Sequence, residues 1–157
     1  MKTILTLALT LFCTLAFCQK KGKEIVFPPP VLGMHYPDFM SACELPTHKR
    51  ELVYTRFIYS GTDEYWSLVP DKKCNAVKAA LEIPDSVEMR LEFTSQFKNV
   101  HDNYWNTYLL VDVIGVYEDG DARGYGHLGS NNSKFTVKYF IAVQTVEKKN
   151  QKSRIKN

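Results

Sequence analysis

Five runs of apolar, aromatic and β-branched residues constrain the fold of this chain more than any other sequence feature. Such side chains pack well on a pleated surface, and alternation along a run places its apolar members on one face. Glycine, proline and short polar clusters separate the runs and favour turns. The runs predict β-strands over these segments: Glu51–Tyr59, Glu64–Val69, Val77–Ile83, Thr107–Tyr117 and Lys134–Val146.

The segment 85–98, between the third and fourth runs, carries two competing patterns. Its strand-like alternation comprises Val87, Met89, Leu91 and Phe93. Its helix-like stripe, which continues just past the segment, comprises Met89, Phe93, Phe97 and Val100. Asp85 followed by Glu88 also resembles a capping box with the aspartate as the N-cap. We therefore predict a helix over residues 85–98, with a strand as the alternative.

The predicted order of elements is three strands, one helix and two strands. A mainly β chain with one helix between the third and fourth strands has the order of a five-stranded OB-like barrel. Gly115 interrupts the long fourth strand, which predicts a β-bulge or a sharp bend. Such a bend suits a barrel, because one strand must then serve both sides of the curved sheet. The sequence therefore predicts an OB-like barrel of order β-β-β-α-β-β over residues 51–147.

Residues 1–18 have the pattern of a secretory signal peptide. A positive charge precedes the apolar run Ile4–Phe17, which is shorter than the ~20 residues that a membrane-spanning helix needs. The small residues Ala16 and Cys18 favour cleavage before Gln19. An uncleaved anchor, or a lipoprotein modified at Cys18, is the alternative. We expect export to the periplasm or the extracellular space, with no transmembrane segment after cleavage.

The predicted barrel lies between a proline-rich arm, residues 19–50, and a basic tail, residues 148–157. All 17 acidic residues lie between Glu24 and Glu147, whereas basic residues concentrate at the two ends. The body of the chain is therefore net acidic. Nucleic-acid binding depends on a basic face that neutralises phosphates, so we expect no nucleic-acid partner.

Two cysteines, Cys43 and Cys74, follow the predicted cleavage site. Oxidising conditions outside the cytoplasm favour a disulfide between such a pair. Two separate buried thiols are the alternative. A metal site is not expected, because the two residues form no paired C-x-x-C motif.

Three motifs resemble elements of small exported bacterial OB-like β-barrel proteins. The segment Val53–Leu68, followed by Cys74, resembles their opening V-x-V-x-G-x-Y strand and the turn after it. Val111–Tyr117 and Gly124–Gly129 resemble their paired V-x-V-x-G-x-F and G-Y-G-H-L-G elements. The resemblance covers residues 50–146, and it implies an OB-like fold without implying an activity.

Two predicted loops supply the candidate binding residues Glu64, Trp66, Tyr125 and His127. In an OB-like barrel, the loop after the first strand and the loop before the last lie at one end, beside the usual ligand face. Aromatic rings can stack there on sugars, bases or peptide side chains, and histidine can move a proton or bind a ligand. The alternative is that the rings pack on the barrel while the glycines only shape the loop.

The sequence contains no G-x-S-x-G elbow, P-loop, dinucleotide fingerprint or H-E-x-x-H motif. We therefore interpret the chain as a non-catalytic binding or interaction module of the cell envelope, with a protein or small-molecule ligand and no cofactor. The alternative is a small hydrolase or metal-dependent enzyme that uses His127 with Glu64 or Asp63. Asp112, inside an apolar strand, is expected on the solvent face.

Overall fold

A computed structural model describes residues 25–26, 36–74, 77–87 and 91–148 of the chain. Its strands are β1 (Ile25–Val26), β2 (Phe39–Met40), β3 (Leu52–Thr62), β4 (Tyr65–Pro70), β5 (Ala79–Glu82), β6 (Thr107–Asp119) and β7 (Ser133–Glu147). Its helices are the α-helix α1 (Leu91–Asp102) and two short 3-10 helices, Ala42–Thr47 and His127–Gly129. The described residues are mainly β with one α-helix, as the sequence predicts.

The strands join in one mixed sheet. Strand β3 runs antiparallel to both β4 and β6, and β6 runs antiparallel to β7 along its whole length. Strand β5 pairs in parallel with β7, and it meets β4 in an antiparallel pair between Ala79 and Leu68. The short strands β1 and β2 add to β7 and β3 respectively. Residues far apart in the chain are therefore held side by side on one sheet.

The core lies between the inner faces of the strands and the apolar stripe of α1. Alternate residues of β3, from Val53 to Tyr59, are buried, which is the period of two expected for a half-buried strand. Helix α1 buries Phe93, Phe97 and Val100, which are three of the four members of the predicted helical stripe. Because burial of each large apolar side chain stabilises by about 1.5–3 kcal/mol, this shared core is the main force that holds the helix on the sheet.

The helix begins later than the sequence predicts. Residues 84–87 form a turn in which the Val87 amide donates to the Pro84 carbonyl at 2.8 Å, and α1 is described from Leu91. It continues to Asp102, beyond the predicted end at residue 98. Val100, the last member of the stripe, is fully buried. The extra helical turn keeps this side chain in the core.

Gly115 marks an irregularity in β6, as predicted. The register between β6 and β7 shifts twice, once between Asp112 and Val113 and again between Ile114 and Gly115. A Cβ atom on Gly115 would lie 2.4 Å from the Thr136 carbonyl oxygen. Glycine is therefore required here by the close approach of β7, and the two shifts provide the predicted bulge.

A disulfide joins Cys43 to Cys74, as the sequence predicts. Cys43 belongs to the 3-10 helix of the proline-rich arm, which also buries Leu45 completely. The neighbouring β2 is held by a hydrogen bond of 2.9 Å from Thr55 Oγ1 to the Met40 carbonyl. The disulfide closes the loop between Cys43 and Cys74. Closing a loop of that length stabilises the folded protein by about 3–4 kcal/mol in the chain-entropy model. The described part of the arm is therefore fastened to the sheet.

Asp112 lies on the face of β6 away from the core, as predicted, but it is not open to solvent. Asp112 lies opposite Arg56 in the β3–β6 ladder, and it is only 6% exposed. Arg56 donates to both carboxylate oxygens, from Nε at 2.5 Å and from Nη2 at 2.6 Å. The guanidinium covers the carboxylate from the solvent side, which is why a charged residue is tolerated there. The same pairing raises the pKa of Arg56 above its ordinary value.

Three sequence predictions lie outside the described residues: the signal peptide, the first part of the arm and the basic tail beyond residue 148. Within the described ranges, α1 is the longest helix, and none of the helices has the length and apolar character needed to span a bilayer.

Candidate functional site

A glycine-rich loop, residues 124–131, connects β6 to β7 and is fastened by Asn131. The Tyr125 and Asn131 backbones exchange hydrogen bonds of 2.9 and 3.1 Å. The side chain of Asn131, only 2% exposed, accepts from Ser67 Oγ at 2.6 Å and donates to the Trp66 carbonyl at 3.3 Å. The loop is thereby bound to β4 through buried polar contacts, each of which would be costly to leave unmade.

The glycines let this loop fold tightly on itself and on β5. Gly126 has a φ of 72°, and a Cβ atom there would lie 2.8 Å from Asn131 Nδ2 and 3.2 Å from Ala80 Cβ. Gly124 has a φ of 70°, and its added Cβ would lie 2.4 Å from the Gly129 carbonyl oxygen. Both positions therefore exclude any side chain, for reasons of backbone angle and of space.

The turn between β3 and β4 lies beside this loop. Asp63 adopts a positive φ of 48°, which lets β3 reverse directly into β4. Strand β3 extends to Thr62 and β4 begins at Tyr65, so the turn consists of residues 63 and 64. The indole nitrogen of Trp66 donates to the Asp63 carbonyl at 2.6 Å. This hydrogen bond from a residue of β4 holds the turn in place.

Glu64 of the turn and His127 of the loop are in direct contact. Glu64 Oε2 lies 3.0 Å from His127 Nε2, and the His127 ring meets the Tyr65 ring at 88° with centroids 5.3 Å apart. The side chains of Glu64 and His127 are 71% and 39% exposed, so their attraction adds little stability. The contact instead brings together, at the protein surface, a carboxylate, an imidazole and a phenol from two separate segments.

Leu128 is the most unusual residue of the loop. Its φ is 51°, which bulky non-glycine residues rarely adopt, and its side chain is 81% exposed. Residues held in sparsely populated backbone conformations cluster at functional sites. We call Glu64, Tyr65, His127 and Leu128 together the loop–turn surface.

Trp66 lies in a different cluster, on the opposite face of β4 from Tyr65. Successive side chains of a strand point to opposite faces, so these neighbours cannot share one surface. The Trp66 ring stacks on Tyr59 with centroids 5.1 Å apart and lies 4.0 Å from the His101 ring. Tyr59 Oη and His101 Nε2 are 3.0 Å apart. Trp66 therefore closes the core between β3 and the end of α1.

Burial changes the ionisation of two members of this aromatic cluster. It raises the pKa of the Tyr59 hydroxyl well above its ordinary value. It lowers the pKa of His101, while the neighbouring Asp102 acts in the opposite direction. A neutral imidazole is thus favoured beside the indole, which fits a role of this cluster in packing.

The structure brings together two of the four predicted binding residues. Glu64 and His127 touch, Trp66 belongs to the aromatic cluster, and Tyr125 is half-buried with its backbone paired to Asn131. Asn131 and Leu128 were not among the residues that the sequence indicated for the site. Asparagine is common in turns, so nothing local distinguished Asn131 from its neighbours.

The described residues contain no group of three or more histidine, cysteine, aspartate or glutamate side chains that could hold a metal ion. The two described cysteines are joined to each other. Comparisons of the chain with protein-family models, curated proteins and solved structures found no match. The resemblance to small exported OB-like proteins therefore stays a prediction, and function has to be argued from the loop–turn surface.

Proposed function

We propose that this protein is an exported binding module with an OB-like barrel, and that its loop–turn surface binds the ligand. The barrel is supported by the pairing of the five longer strands, each of which has two neighbours among the other four. The parallel pairing of β5 with β7, separated along the chain by α1 and β6, fits the predicted order of three strands, a helix and two strands.

Export is supported by the disulfide and by the character of the N-terminal sequence. A disulfide such as Cys43–Cys74 is typical of proteins in an oxidising compartment. Residues 1–18 combine a positive charge, a short apolar run and small residues near Gln19. Cleavage before Gln19 would appear directly as a new N-terminus in protein recovered from the periplasm or medium. An uncleaved N-terminus in cytoplasmic protein would contradict this part of the proposal.

The Glu64–His127 contact is the observation that carries the binding proposal. OB-like barrels bind ligands on the outer face of their second and third strands, between the first connecting loop and the last. Here those strands correspond to β4 and β5, and those loops are the β3–β4 turn and the glycine-rich loop. The distance of 3.0 Å between Glu64 Oε2 and His127 Nε2 joins the two loops at that face.

Amide NMR spectra of the purified protein test this function. The probes are a neutral oligosaccharide, an oligothymidine and a mixed octapeptide library. We expect at least one probe to shift the signals of Tyr65, Gly126 and His127 more than those elsewhere. The variant His127→Ala should weaken that response. The matched control is His48→Ala, because His48 forms a similar exposed contact with Glu51, at 2.9 Å. Responses confined to other surfaces would contradict the proposal.

Hydrolysis by His127 is the second candidate, and the same contact favours it. A carboxylate 3.0 Å from an imidazole nitrogen can orient a histidine that acts as a general base. Asp63 or Glu64 would be its partner, with or without a metal ion. Turnover of p-nitrophenyl ester and glycoside substrates that His127→Ala abolishes, or stoichiometric metal in elemental analysis, would favour the enzyme over the binding module.

A further inference from the structure

We infer that the ligand of the loop–turn surface is a neutral saccharide, an inference that rests on the proposed function. A pyranose ring offers an apolar C–H face beside a set of hydroxyl groups. The loop–turn surface offers the complementary pair: an aromatic ring and an apolar side chain next to a carboxylate and an imidazole. The argument depends on the charges, the exposed rings and the rigidity of this surface.

Three charged side chains near the surface make polar contacts within the protein. His127 faces the Glu64 carboxylate, and Lys78 donates from Nζ to the Ser130 carbonyl at 2.7 Å. Arg123, at the start of the loop, lies 3.5 Å from Asp121. A phosphate would be repelled by the Glu64 carboxylate, and a basic group would compete with His127 for the same carboxylate. An uncharged ligand avoids both costs.

Hydroxyl groups can use the Glu64–His127 pair without breaking it. A carboxylate has two oxygens and about four lone-pair positions, so Glu64 can accept from a sugar hydroxyl while it holds His127. The second ring nitrogen of His127 can donate or accept according to its tautomer. Vicinal hydroxyls, which donate and accept at a fixed spacing, suit such a pair.

Tyr65 and Leu128 provide the apolar part of the surface. The Tyr65 ring lies at 88° to the His127 ring. Tyr65 is 48% exposed, so part of its ring remains open to solvent. The face of an aromatic ring is electronegative and attracts the weakly positive C–H groups of a sugar. Leu128 follows His127 in the loop and is 81% exposed, so it adds apolar surface beside the imidazole.

The surface is organised before any ligand binds. Asn131 fastens the loop through hydrogen bonds to Ser67 and to the Trp66 carbonyl, and the backbone around Gly124 and Gly126 is closely packed. A prearranged surface loses less conformational entropy on binding. Weak contacts with a polar, strongly hydrated ligand can then yield measurable affinity.

Titration of the purified protein with cellotetraose and with chitotetraose tests the inference, read by amide NMR. We expect one of them to shift Tyr65 and His127 at millimolar concentration, and Tyr65→Ala to weaken this binding at least about fivefold, the lower limit for loss of a stacking ring. The matched control is Trp105→Ala, which removes an exposed ring elsewhere and should leave the affinity unchanged. A response to cellotetraose alone would indicate a plain glucan as the ligand, and a response to chitotetraose alone would indicate an N-acetylated glycan.

Failure of this inference differs from failure of the proposed function. Shifts of Tyr65 and His127 by oligothymidine or peptides, with none by either sugar, would overturn the saccharide inference and leave the binding module intact. Equal loss of affinity in Tyr65→Ala and Trp105→Ala would also overturn it. Absence of shifts at these residues with every probe would overturn both.

Discussion

The side-chain oxygen of Asn131 accepts a hydrogen bond of 2.6 Å from Ser67 Oγ, and both residues are buried. This contact ties the glycine-rich loop to β4 across 64 positions of the chain. It therefore determines where His127 lies relative to Glu64, although neither Asn131 nor Ser67 belongs to the loop–turn surface itself.

Replacing Asn131 with alanine should destabilise the protein and displace the loop. Ser67 and the Trp66 carbonyl would lose buried partners, which costs about 1–3 kcal/mol. Urea unfolding measures the free energy, and the His127 amide signal reports the loop. Asn106→Ala is the control, because Asn106 is exposed and should change stability little. Equal stability of the two variants would show that the Asn131 contacts do not hold the loop.

Gly126→Ala should be more destabilising than Gly120→Ala. Both glycines have positive φ, 72° and 93°, so both substitutions incur the backbone cost of about 1–2 kcal/mol. Only at Gly126 does the added Cβ also meet Asn131 and Ala80, whereas nothing lies within 4 Å of it at Gly120. The difference between the two free energies of unfolding isolates the steric contact. A Gly120 variant as damaged as the Gly126 variant would contradict this packing.

The stability of the protein should fall as the pH drops through the ordinary pKa of histidine, in part because of His101. Partial desolvation by the aromatic cluster lowers the pKa of His101 in the folded state, although the residue is exposed, so below its ordinary value of 6.5 the unfolded chain binds the proton more readily. The stabilising contribution of the neutral ring is present at pH values above 6.5, and it is lost once the pH falls below the pKa of His101 in the folded state.

The His101→Phe variant tests this, because phenylalanine keeps a ring beside Trp66 and Tyr59 and cannot be protonated. Urea unfolding at several pH values should show a smaller loss of stability on acidification in this variant than in the parent. The exposed His48→Gln variant should keep most of the parent's dependence. An unchanged slope in His101→Phe would exclude His101 as a source of the acid sensitivity.

Removing the disulfide with Cys43→Ser and Cys74→Ser together should lower the free energy of unfolding by about 3–4 kcal/mol in the chain-entropy model. The fastened part of the arm, with Leu45 in the core, loses its covalent restraint. A reductant should bring the parent to the stability of the double variant and leave that variant unaffected. A double variant as stable as the oxidised parent would contradict this account.

The elements whose signals are local could be predicted from the amino-acid sequence. Alternation predicted the strands, the stripe of Phe93, Phe97 and Val100 predicted the buried face of α1, and Gly115 predicted the irregularity in β6. The disulfide followed from two remaining cysteines and an expected oxidising compartment. These inferences succeed because each depends on the period of one element or on the chemistry of one pair.

The surfaces that these elements share became visible in the three-dimensional structure, which no local signal could replace. It separated Trp66 from Tyr65, paired Asp112 with Arg56, and buried Asn131 against Ser67. Each outcome depends on the strand register and on contacts between segments far apart in the chain. Local composition carries no information about such contacts, because the burial of a polar group becomes favourable only once a distant partner satisfies it.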